Sequence, residues 1–538
     1  MKRPNILLVM CDQLRGDCLS FDGHPDVKTP YLDTLAADST YFENAYSACP
    51  SCIPARAGLL TGQAPSSHGR VGYQDGIDWE YDHYLAQELA DHGYQTACVG
   101  KMHVHPPRLQ CGFQMIRLHD GYIGHYRKAN IPSWMNQNVS DDYMHYLRDH
   151  LGSYADVNGS GVENNSWITH PWIYEECYHP TNWVVDESIR FLETRDRTKP
   201  FFLMTSFVRP HPPFDAPKSY FDLYVNKQLH EPAMGDWVDP SLCERDGMIL
   251  DSVHGCRDAE LRHQAMAGYY ACITHVDHQF GRLITALEND ETYHDTIIIF
   301  TADHGEMLFD HQLFRKVLPY EGSTRIPMII HVGKNIRKCL PHRSESVVEL
   351  MDVMPTVLDL CGIQIPDSVD GASLKQELFE AKGIEREYVH GEHSRDKEQS
   401  NQYIVTETDK FIWFTQTNIE QYFDLKQDPK EEHDRIDDPA CQIVSPICAR
   451  CSSKSWRDAK KDMCRMESWW QANVRSAGCS TRFTDNANDG CPFMGTAVFL
   501  LISSFSKSRC ATALARTGAP TADHRAVPAF HTGSPHRR

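Results

Sequence analysis

The sequence predicts an α/β fold, with a large mixed central sheet sandwiched by helices and a smaller antiparallel sheet near the C-terminus. Through the first 440 of the 538 residues, short continuous apolar runs alternate with segments of helical periodicity. This alternation is typical of strands that helices cover on both faces. Between 385 and 425 the apolar runs are short and closely spaced, which predicts a small antiparallel sheet.

The same patterns place the elements in order along the chain. Strands of the large sheet are predicted at residues 5–11, 95–100, 201–207, 296–301 and 328–332. Helices are predicted at residues 30–37, after a Thr29-Pro30 start signal, and at 84–91, 181–194 and 260–287. Strands of the small sheet are predicted at residues 401–407 and 410–415.

Composition divides the chain into three parts: a large α/β domain (1–375), the small antiparallel subdomain (376–440) and a tail (441–538). Within the large domain, residues 105–180 are rich in Tyr, His, Asn and Trp. We expect them to form an insertion over the sheet that shapes a ligand crevice. The tail carries 14 Lys and Arg against 6 Asp and Glu, with seven of the 19 cysteines and weak periodicity, which predicts poor order.

Charge and hydropathy exclude two classes of partner. A net charge of -20 argues against nucleic acid, whose binding needs clustered Lys and Arg, and no apolar stretch reaches the roughly 20 residues that span a bilayer. The basic start Met1-Lys2-Arg3 precedes an apolar run that ends at Asp12, which indicates a first strand rather than a signal peptide. The cysteines show no tight framework, which predicts a reducing, cytoplasmic setting.

The most specific motif is Cys52-Ile53-Pro54-Ala55-Arg56. Pro54 fits the first turn of a helix, so Cys52 is expected at a helix N-terminus, where free N–H groups favour an anion. Arg56 follows one turn later on the same face and could offer its donors to a sulfate or phosphate. Two other interpretations stay open: a redox dithiol formed with Cys49, and a buried structural cysteine.

Acidic residues follow two predicted strands. Asp12 comes after the first strand, and Asp303 and His304 come after the strand that ends at Thr301. Residues at the carboxyl ends of buried strands, even when they are far apart in sequence, are placed to converge on one crevice. Two carboxylates and an imidazole suit a divalent cation, although each residue alone also fits a solvated strand end.

The motif and the Ala57-Gly58-Leu59-Leu60-Thr61-Gly62 segment after it resemble the signature of type I sulfatases, which belong to the alkaline phosphatase superfamily. The resemblance covers roughly residues 3–435. It implies hydrolysis of a small anionic sulfate ester, with a sulfated sugar among the candidate substrates. It also implies that a maturation enzyme oxidises Cys52 to formylglycine. Cys49 is excluded from this role, because Ser51 stands where the signature has Pro.

The resemblance also implies one divalent metal ion, held by Asp12, Gln13, Asp303, His304 and the modified residue 52. Calcium is the expected ion, with manganese or magnesium as alternatives. Gln13 stands where a second acid is usual, and His304 stands where an Asn is usual. The Asp12-Gln13 and Asp303-His304 pairs resemble the residues at these positions in the branch that hydrolyses phosphonate monoesters and phosphodiesters.

Other segments that resemble sulfatase motifs supply further candidate site residues. Gly100-Lys101-Met102-His103 implies that Lys101 binds sulfate oxygens and that His103 acts as a base, and it favours the sulfatase branch. His211, after another strand, or Lys316 would protonate the leaving alcohol. Each of these residues could instead have a packing or turn-stabilising role.

The implied reaction is attack of the hydrated formylglycine on sulfur beside the metal, with Arg56, Lys101 and Lys316 stabilising the equatorial oxygens. His103 then promotes release of sulfate. Two alternatives remain: a phosphonate monoester or phosphodiester hydrolase that uses the same nucleophile, and a non-catalytic anion-binding homologue in which Cys52 stays unmodified.

Overall fold

The computed structural model describes residues 3–122, 139–239, 241, 253–255, 258–339, 341–394 and 400–438. The tail at 441–538, for which the sequence predicts poor order, lies outside the described residues. Among the helices that are described, none has both the length and the apolar composition needed to cross a bilayer.

Eight strands form the central sheet. They are β1 Asn5–Asp12, β2 Thr40–Tyr46, β3 Gln95–Gly100, β4 Met115–Leu118, β5 Phe201–Pro210, β6 Thr296–Ala302, β7 Met328–Val332 and β8 His342–Glu349. Their order is β4-β3-β5-β1-β6-β7-β2-β8. Neighbours are parallel except at β7, which runs antiparallel to both β6 and β2. The sheet is therefore mixed, as predicted.

Eleven α-helices are described, and they flank this sheet. They are α1 Pro30–Ala36, α2 Cys52–Thr61, α3 Pro65–His68, α4 Leu85–Asp91, α5 Asp142–Leu151, α6 Pro180–Thr194, α7 Lys218–Phe221, α8 Ala259–Asn289, α9 Glu321–Thr324, α10 Val353–Leu360 and α11 Lys375–Glu380. The helices α1, α6 and α8 pack together in one group, and α2, α4 and α10 in another. Because helices cover the sheet, every residue of β1 is buried.

A separate antiparallel sheet follows, in the order β12-β11-β10-β9. Its strands are β9 Val389–His393, β10 Asn401–Val405, β11 Asp409–Phe414 and β12 Ile419–Asp424. Its apolar face does not form a closed core of its own. Tyr403, Ile412 and Phe423 share a buried cluster with Met307 and Val317 of the large domain. The small sheet therefore packs directly on the loop that follows β6.

The structure differs from the sequence expectations mainly at the sheet edges. Among the described strands, β8 pairs with β2 alone, and it is polar at its start. β2 shifts register against β8 between Phe42 and Asn44, and neither strand has a continuous apolar run. β4 lies inside the 105–180 segment and pairs in parallel with β3. The prediction that this whole segment lies over the sheet is therefore wrong for residues 115–118, and residues 123–138 lie outside the described part.

Candidate active site

The site begins where β1 and β6 end. These parallel neighbours pair in register up to Cys11 and Ala302, so Asp12, the last residue of β1, and Asp303, the first residue after β6, lie side by side. The Asp303 amide donates to the Cys11 carbonyl at 3.1 Å. Both carboxylates are fully buried. The predicted convergence of the two strand ends is present in the structure.

Cys52 lies at the first position of α2, as its sequence predicts. Ser51 has extended backbone, and the helix ends at Thr61, where Gly62 takes the left-handed conformation. The Cys52 Sγ lies 3.5 Å from Asp12 Oδ1 and 3.3 Å from His304 Nε2. The helix start therefore brings the thiol to the two strand ends.

Asp12, Cys52, Asp303 and His304 are buried, and each offers a ligand atom within 4.8 Å of the others. His304 Nδ1 lies 2.9 Å from the Gly305 carbonyl. In the neutral ring that bond assigns the proton to Nδ1, so Nε2 keeps a lone pair facing Cys52. Two carboxylates and one imidazole form a donor set that fits a hard divalent cation.

Gln13 has its side chain between Lys316 and Glu306. Its backbone has φ 68°, and its amide donates to Asp303 Oδ1 at 3.0 Å. Lys316 Nζ donates to Gln13 Oε1 at 2.8 Å, and Gln13 Nε2 donates to Glu306 Oε2. Lys316 Nζ is also 3.4 Å from Cys52 Sγ. The Gln13 amide oxygen and the Cys52 thiol therefore contact the same ammonium group.

Two ammonium groups surround residue 52. Lys101 Nζ pairs with Asp12 and lies 3.7 Å from Sγ, and Lys316 Nζ lies 3.4 Å from the same sulfur. Burial and Asp12 oppose ionisation of the thiol, but Lys101, Lys316 and His304 outweigh them and hold the pKa of Cys52 below its ordinary value. The net charge of the chain is -20 and by itself would repel an anionic substrate, so these local cations provide the attraction that such a substrate needs.

Arg56 is completely buried one turn into α2. Its Nε and Nη2 lie 3.0 and 2.9 Å from Asp303 Oδ2, and its Nη1 donates to the Lys101 carbonyl and to Ser206 Oγ at 2.7 and 3.0 Å. Nε and Nη1 therefore contact protein acceptors, while Nη2 lies beside Asp303 without a hydrogen bond to the described residues. In this arrangement Arg56 connects α2 to the residues that follow β6 and β3 and to Ser206 within β5.

His211 follows β5. Its Nδ1 lies 2.7 Å from the Pro212 carbonyl. Burial and the charge of Lys316 lower the pKa of His211 well below its ordinary value, although Asp12 acts in the opposite direction. The ring is therefore neutral near pH 7, and a proton on Nδ1 leaves Nε2 as an acceptor.

His103 is buried two residues beyond Lys101 and has φ 57°. Its backbone amide donates to Asp120 Oδ1 at 2.9 Å, and its ring packs edge-on against Tyr73 at 5.7 Å between centroids. The contacts around Cys52 described above come from other residues. The role of His103 as a base stays a prediction.

The sequence reasoning did not assign roles to Glu306, Ser206 and Asn401. Burial raises the pKa of Glu306, while N–H groups from Leu308, Gln13 and Arg315 favour its carboxylate. Asn401 Nδ2 donates to the Val317 carbonyl at 3.0 Å. For Glu306 a signal existed, since it closes the Asp303-His304-Gly305-Glu306 segment. No local signal marks Asn401, which lies 84 residues from its partner.

The redox and structural interpretations of Cys49 and Cys52 can be compared directly. Both are free thiols. Burial and Glu392 raise the pKa of Cys49 well above its ordinary value, whereas the pKa of Cys52 is lowered. Only Cys52 lies among the cations, so the two thiols do not have the matched surroundings of a dithiol pair.

A second cluster, His24, Asp26 and His230, is half-buried and away from Cys52. His230 Nδ1 bonds Asp26 Oδ2 at 2.7 Å. His24 Nδ1 accepts the backbone amides of Asp26 and Val27 at 3.2 and 3.1 Å, so a neutral His24 carries its proton on Nε2. This ring holds a turn and has no lone pair left for a metal.

Comparison with known proteins agrees with this geometry. A family model described as Sulfatase matches residues 4–363, and one described as N-sulphoglucosamine sulphohydrolase, C-terminal, matches residues 309–452. The chain is 49% identical over 430 residues to an arylsulfatase of Clostridium perfringens (strain 13 / Type A), covering 80% of this chain and 89% of that protein.

Solved structures show the same fold. The phosphonate monoester hydrolase of Agrobacterium radiobacter has a TM-score of 0.67 at 26% identity, covering 85% of this chain and 96% of that one. A structure in complex with its substrate D-glucosamine-2-N,6-O-disulfate has a TM-score of 0.64 at 22% identity, covering 86% and 98%. The second likeness shows the fold alone.

Proposed function

Because the chain belongs to the sulfatase family, we propose that it hydrolyses sulfate monoesters of aryl or carbohydrate alcohols at the site around Cys52. The observation that carries this proposal is the 49% identity to an arylsulfatase over most of both chains. The site supports it independently, since Lys101 and Lys316 bring two positive charges to within 3.7 and 3.4 Å of residue 52.

The proposed nucleophile is formylglycine, produced from Cys52 by a maturation enzyme. Formylglycine and a metal ion are general features of the family. The Sγ position supports the assignment, since it lies between a carboxylate, an imidazole and two ammonium groups. Cys49 lacks both these neighbours and the Pro that the signature requires.

The proposed metal ligands are Asp12, Gln13, Asp303, His304 and residue 52. The donor set supports a divalent cation, and we propose calcium, with manganese or magnesium as the alternatives that an imidazole ligand allows. When bound, the metal supplies Lewis-acid activation, and formylglycine supplies the attacking hydroxyl. The remaining tasks fall to side chains of this chain.

We assign Arg56 to holding Asp303 rather than to contacting the substrate, since its Nε donates to Asp303 and its Nη1 donates to the Lys101 carbonyl and to Ser206. Lys101 and Lys316 bind the sulfate oxygens. Lys316 and His211 are the more exposed residues of the set, at 6% and 5%, so the leaving alcohol is assigned to their side.

Of these two residues, Lys316 is the proposed proton donor to the leaving oxygen. A neutral His211 with its Nδ1 proton on the Pro212 carbonyl offers an acceptor at Nε2 and orients the alcohol. His103 keeps the proposed role of base. Cytoplasmic residence also stays a proposal, supported by the free state of the ten cysteines that the structure describes.

The phosphonate and phosphodiester alternative is supported by Gln13 and His304 and by the likeness to a phosphonate monoester hydrolase at 26% identity. The higher identity to an arylsulfatase favours sulfate esters. Matched aryl sulfates, aryl phosphonates and aryl phosphodiesters, assayed with one enzyme preparation, decide between them. Faster turnover of the phosphonate would overturn the assignment. If the sulfate is turned over faster, a panel of sulfated sugars would define the alcohol.

Maturation has to be verified before these assays. Mass spectrometry of the peptide that contains residue 52, from protein co-expressed with a maturation enzyme, should show the aldehyde. Fully active protein that carries only the thiol would refute the proposed nucleophile. Anion binding without turnover, in protein that keeps the thiol at residue 52 despite co-expression with an active maturation enzyme, would support the non-catalytic alternative.

A further inference from the structure

His211 lies on a short loop that leaves β5. The loop runs from Arg209 to Asp215, and three of its residues are prolines, which have no N–H to donate. Besides burial, the charges of Lys316 and Asp12 act on the pKa of the His211 ring, so the ring faces the active site. Backbone donors are scarce in this loop, and side chains therefore have to fix its shape.

An ion pair joins the two ends of the loop. Arg209 Nε and Nη2 donate to the two carboxylate oxygens of Asp215 at 2.6 and 2.7 Å. The third nitrogen, Nη1, donates to the His211 carbonyl at 3.1 Å. One planar guanidinium thus holds both ends of the loop and the backbone of the histidine between them.

Both partners of this ion pair are buried, with 1% of each residue exposed. Burial alone would raise the pKa of Asp215, but Arg209 and His179 lower it below its ordinary value, so the carboxylate stays charged. A buried ion pair adds little net stability, because desolvation of the two charges offsets their attraction. What this pair supplies is geometry, since two parallel N–H donors fix the carboxylate in one orientation.

Neighbouring side chains hold the Asp215 carboxylate in turn. The Tyr122 hydroxyl donates to Asp215 Oδ2 at 2.7 Å, and the Arg209 guanidinium lies 5.3 Å from the centre of the Tyr122 ring. His179 Nδ1 accepts the Thr181 amide at 3.1 Å, so a neutral His179 carries its proton on Nε2, which is 3.6 Å from Asp215 Oδ1. The ion pair is therefore itself held by groups outside the loop.

We propose that Arg209 and Asp215 are positioning residues: their ion pair fixes the loop backbone at His211 and thereby holds the imidazole on the side of the leaving alcohol. The inference rests on the proposed function, in which His211 lies on that side of the site. Arg209 acts through His211, because its Nη1 donates to the His211 carbonyl and its other two nitrogens donate to Asp215.

The test is a double-mutant cycle between Arg209→Lys and His211→Ala. Lysine keeps a positive charge beside Asp215, but an ammonium lacks the planar fork that serves a carboxylate and the His211 carbonyl together. A displacement of about 1 Å can cost roughly 10²-fold in rate. We therefore expect kcat/KM for an aryl sulfate with a poor leaving group to fall about 10- to 100-fold in Arg209→Lys.

The second arm of the cycle separates positioning from general damage. When His211→Ala is already present, adding Arg209→Lys should lower kcat/KM by less than about 3-fold, because the side chain that Arg209 positions is then absent. Independent effects would instead multiply. Crystal structures give a readout apart from activity, and we expect a displaced His211 ring in Arg209→Lys.

Arg195→Lys provides the matched control. Arg195 is also a buried arginine that pairs with an aspartate, Asp290, and donates to a backbone carbonyl, that of Leu192. This pair lies at the ends of α6 and α8, outside the site. The control should keep kcat/KM within about 2-fold of the parent and leave the His211 ring in place.

Tyr122→Phe is a milder variant that decides the question if Arg209→Lys does not fold. It removes the hydroxyl that donates to Asp215 and keeps every charge of the cluster. We expect a loss of about 2- to 10-fold for the poor leaving group, and this loss should disappear when His211→Ala is also present. A loss that persists there would contradict the inference.

The outcomes separate the inference from the function. If the effects of Arg209→Lys and His211→Ala multiply, or if the His211 ring does not move in Arg209→Lys, the inference is overturned and sulfate hydrolysis stands. If His211→Ala turns over every ester as fast as the parent, the role of His211 and the inference both fall. Parent enzyme with verified formylglycine that hydrolyses no sulfate ester would refute the proposed function and every role derived from it.

Discussion

Two walls of the active site are built in different ways. The strand wall consists of Asp12, Asp303 and Arg56, set by the ends of β1 and β6 and by the first turns of α2. The loop wall consists of Lys316 with its supports Glu306 and Asn401. Residues in the strand wall inherit their positions from the register of parallel strands.

The loop wall has no such register. Between residues 308 and 317, six non-glycine residues have positive φ, a conformation that costs free energy for each residue and persists only when its surroundings hold it. Those surroundings are remote in sequence. Glu306 binds the Arg315 amide, Asn401 binds the Val317 carbonyl, and Tyr320 donates to Gln421 at 2.7 Å.

The comparison teaches that the small C-terminal sheet is part of the active-site architecture. It packs on Met307 and Val317, and Tyr403 donates to the Ser47 carbonyl at 2.6 Å just before the Cys52 helix. Substitutions in the strand wall should weaken metal binding and slow the turnover of every substrate. Substitutions in the loop wall should slow turnover to an extent that depends on the leaving group.

The largest effect is expected at residue 52, which contacts Asp12 of the strand wall and Lys316 of the loop wall. Cys52→Ala removes the atom that becomes the nucleophile, so turnover of every sulfate ester should fall by about 10⁴-fold or more. Steady-state rates on an activated aryl sulfate measure this loss. Cys49→Ala is the matched control and should keep most of the activity, and equal loss in both variants would contradict the assignment of residue 52.

The strand wall is tested by Asp303→Asn. The change leaves the buried Arg56 guanidinium without its carboxylate, and breaking a buried ion pair from one side costs roughly 3–5 kcal/mol. We expect a lower free energy of unfolding in denaturant titrations and weaker calcium binding in calorimetry. Activity should fall by the same factor for good and poor leaving groups, and a strong leaving-group dependence would break the distinction between the walls.

The loop wall is tested by Lys316→Ala. Loss of the proton donor should slow esters of poorly leaving alcohols by roughly 10²- to 10⁴-fold and activated aryl sulfates by about 10-fold or less. Calcium affinity should change little, because Lys316 is not among the proposed ligands. A steeper plot of log rate against leaving-group pKa than for the parent enzyme is the measurement, and a parallel plot would contradict the role.

Metal removal should distinguish variants of the two walls by their thermal stability. A ligand at about 100 times its Kd stabilises the folded state by about 2.7 kcal/mol, so adding calcium to chelator-treated enzyme should raise its Tm. We expect Lys316→Ala to keep this increase and Asp303→Asn to lose most of it. An equal increase in both variants would show that Asp303 does not contribute to metal binding.

The smallest effect is expected from Asn401→Ala, which acts only through the small sheet. It removes the bond to the Val317 carbonyl, a loss of about 1–3 kcal/mol for a buried acceptor left unpaired, and should slow poor leaving groups by roughly 2- to 10-fold. Gln402→Ala, whose side chain bonds the exposed His390, is the control on the same strand. Identical behaviour of the two variants would show that the sheet does not support Lys316.

Much of the strand wall could be predicted from the sequence alone. The apolar runs determine β1, β3, β5, β6 and β7, and parallel neighbours bring their following residues together, so Asp12 and Asp303 meet. Pro54 and the Thr61-Gly62 end locate the α2 helix and place Cys52 at its start. These inferences depend on local periodicity and on chain geometry, which the order of residues contains.

Tertiary structure decided the rest. The sequence could not show that Arg56 Nε donates to Asp303, 247 residues away, or that Gln13 Nε2 donates to Glu306, 293 residues away. The edge strands β4 and β8 also escaped prediction, because a strand with one partner and a solvated side needs no continuous apolar run. A hydrogen bond between distant side chains depends on the whole packing, so only the folded chain determines which groups receive which donors.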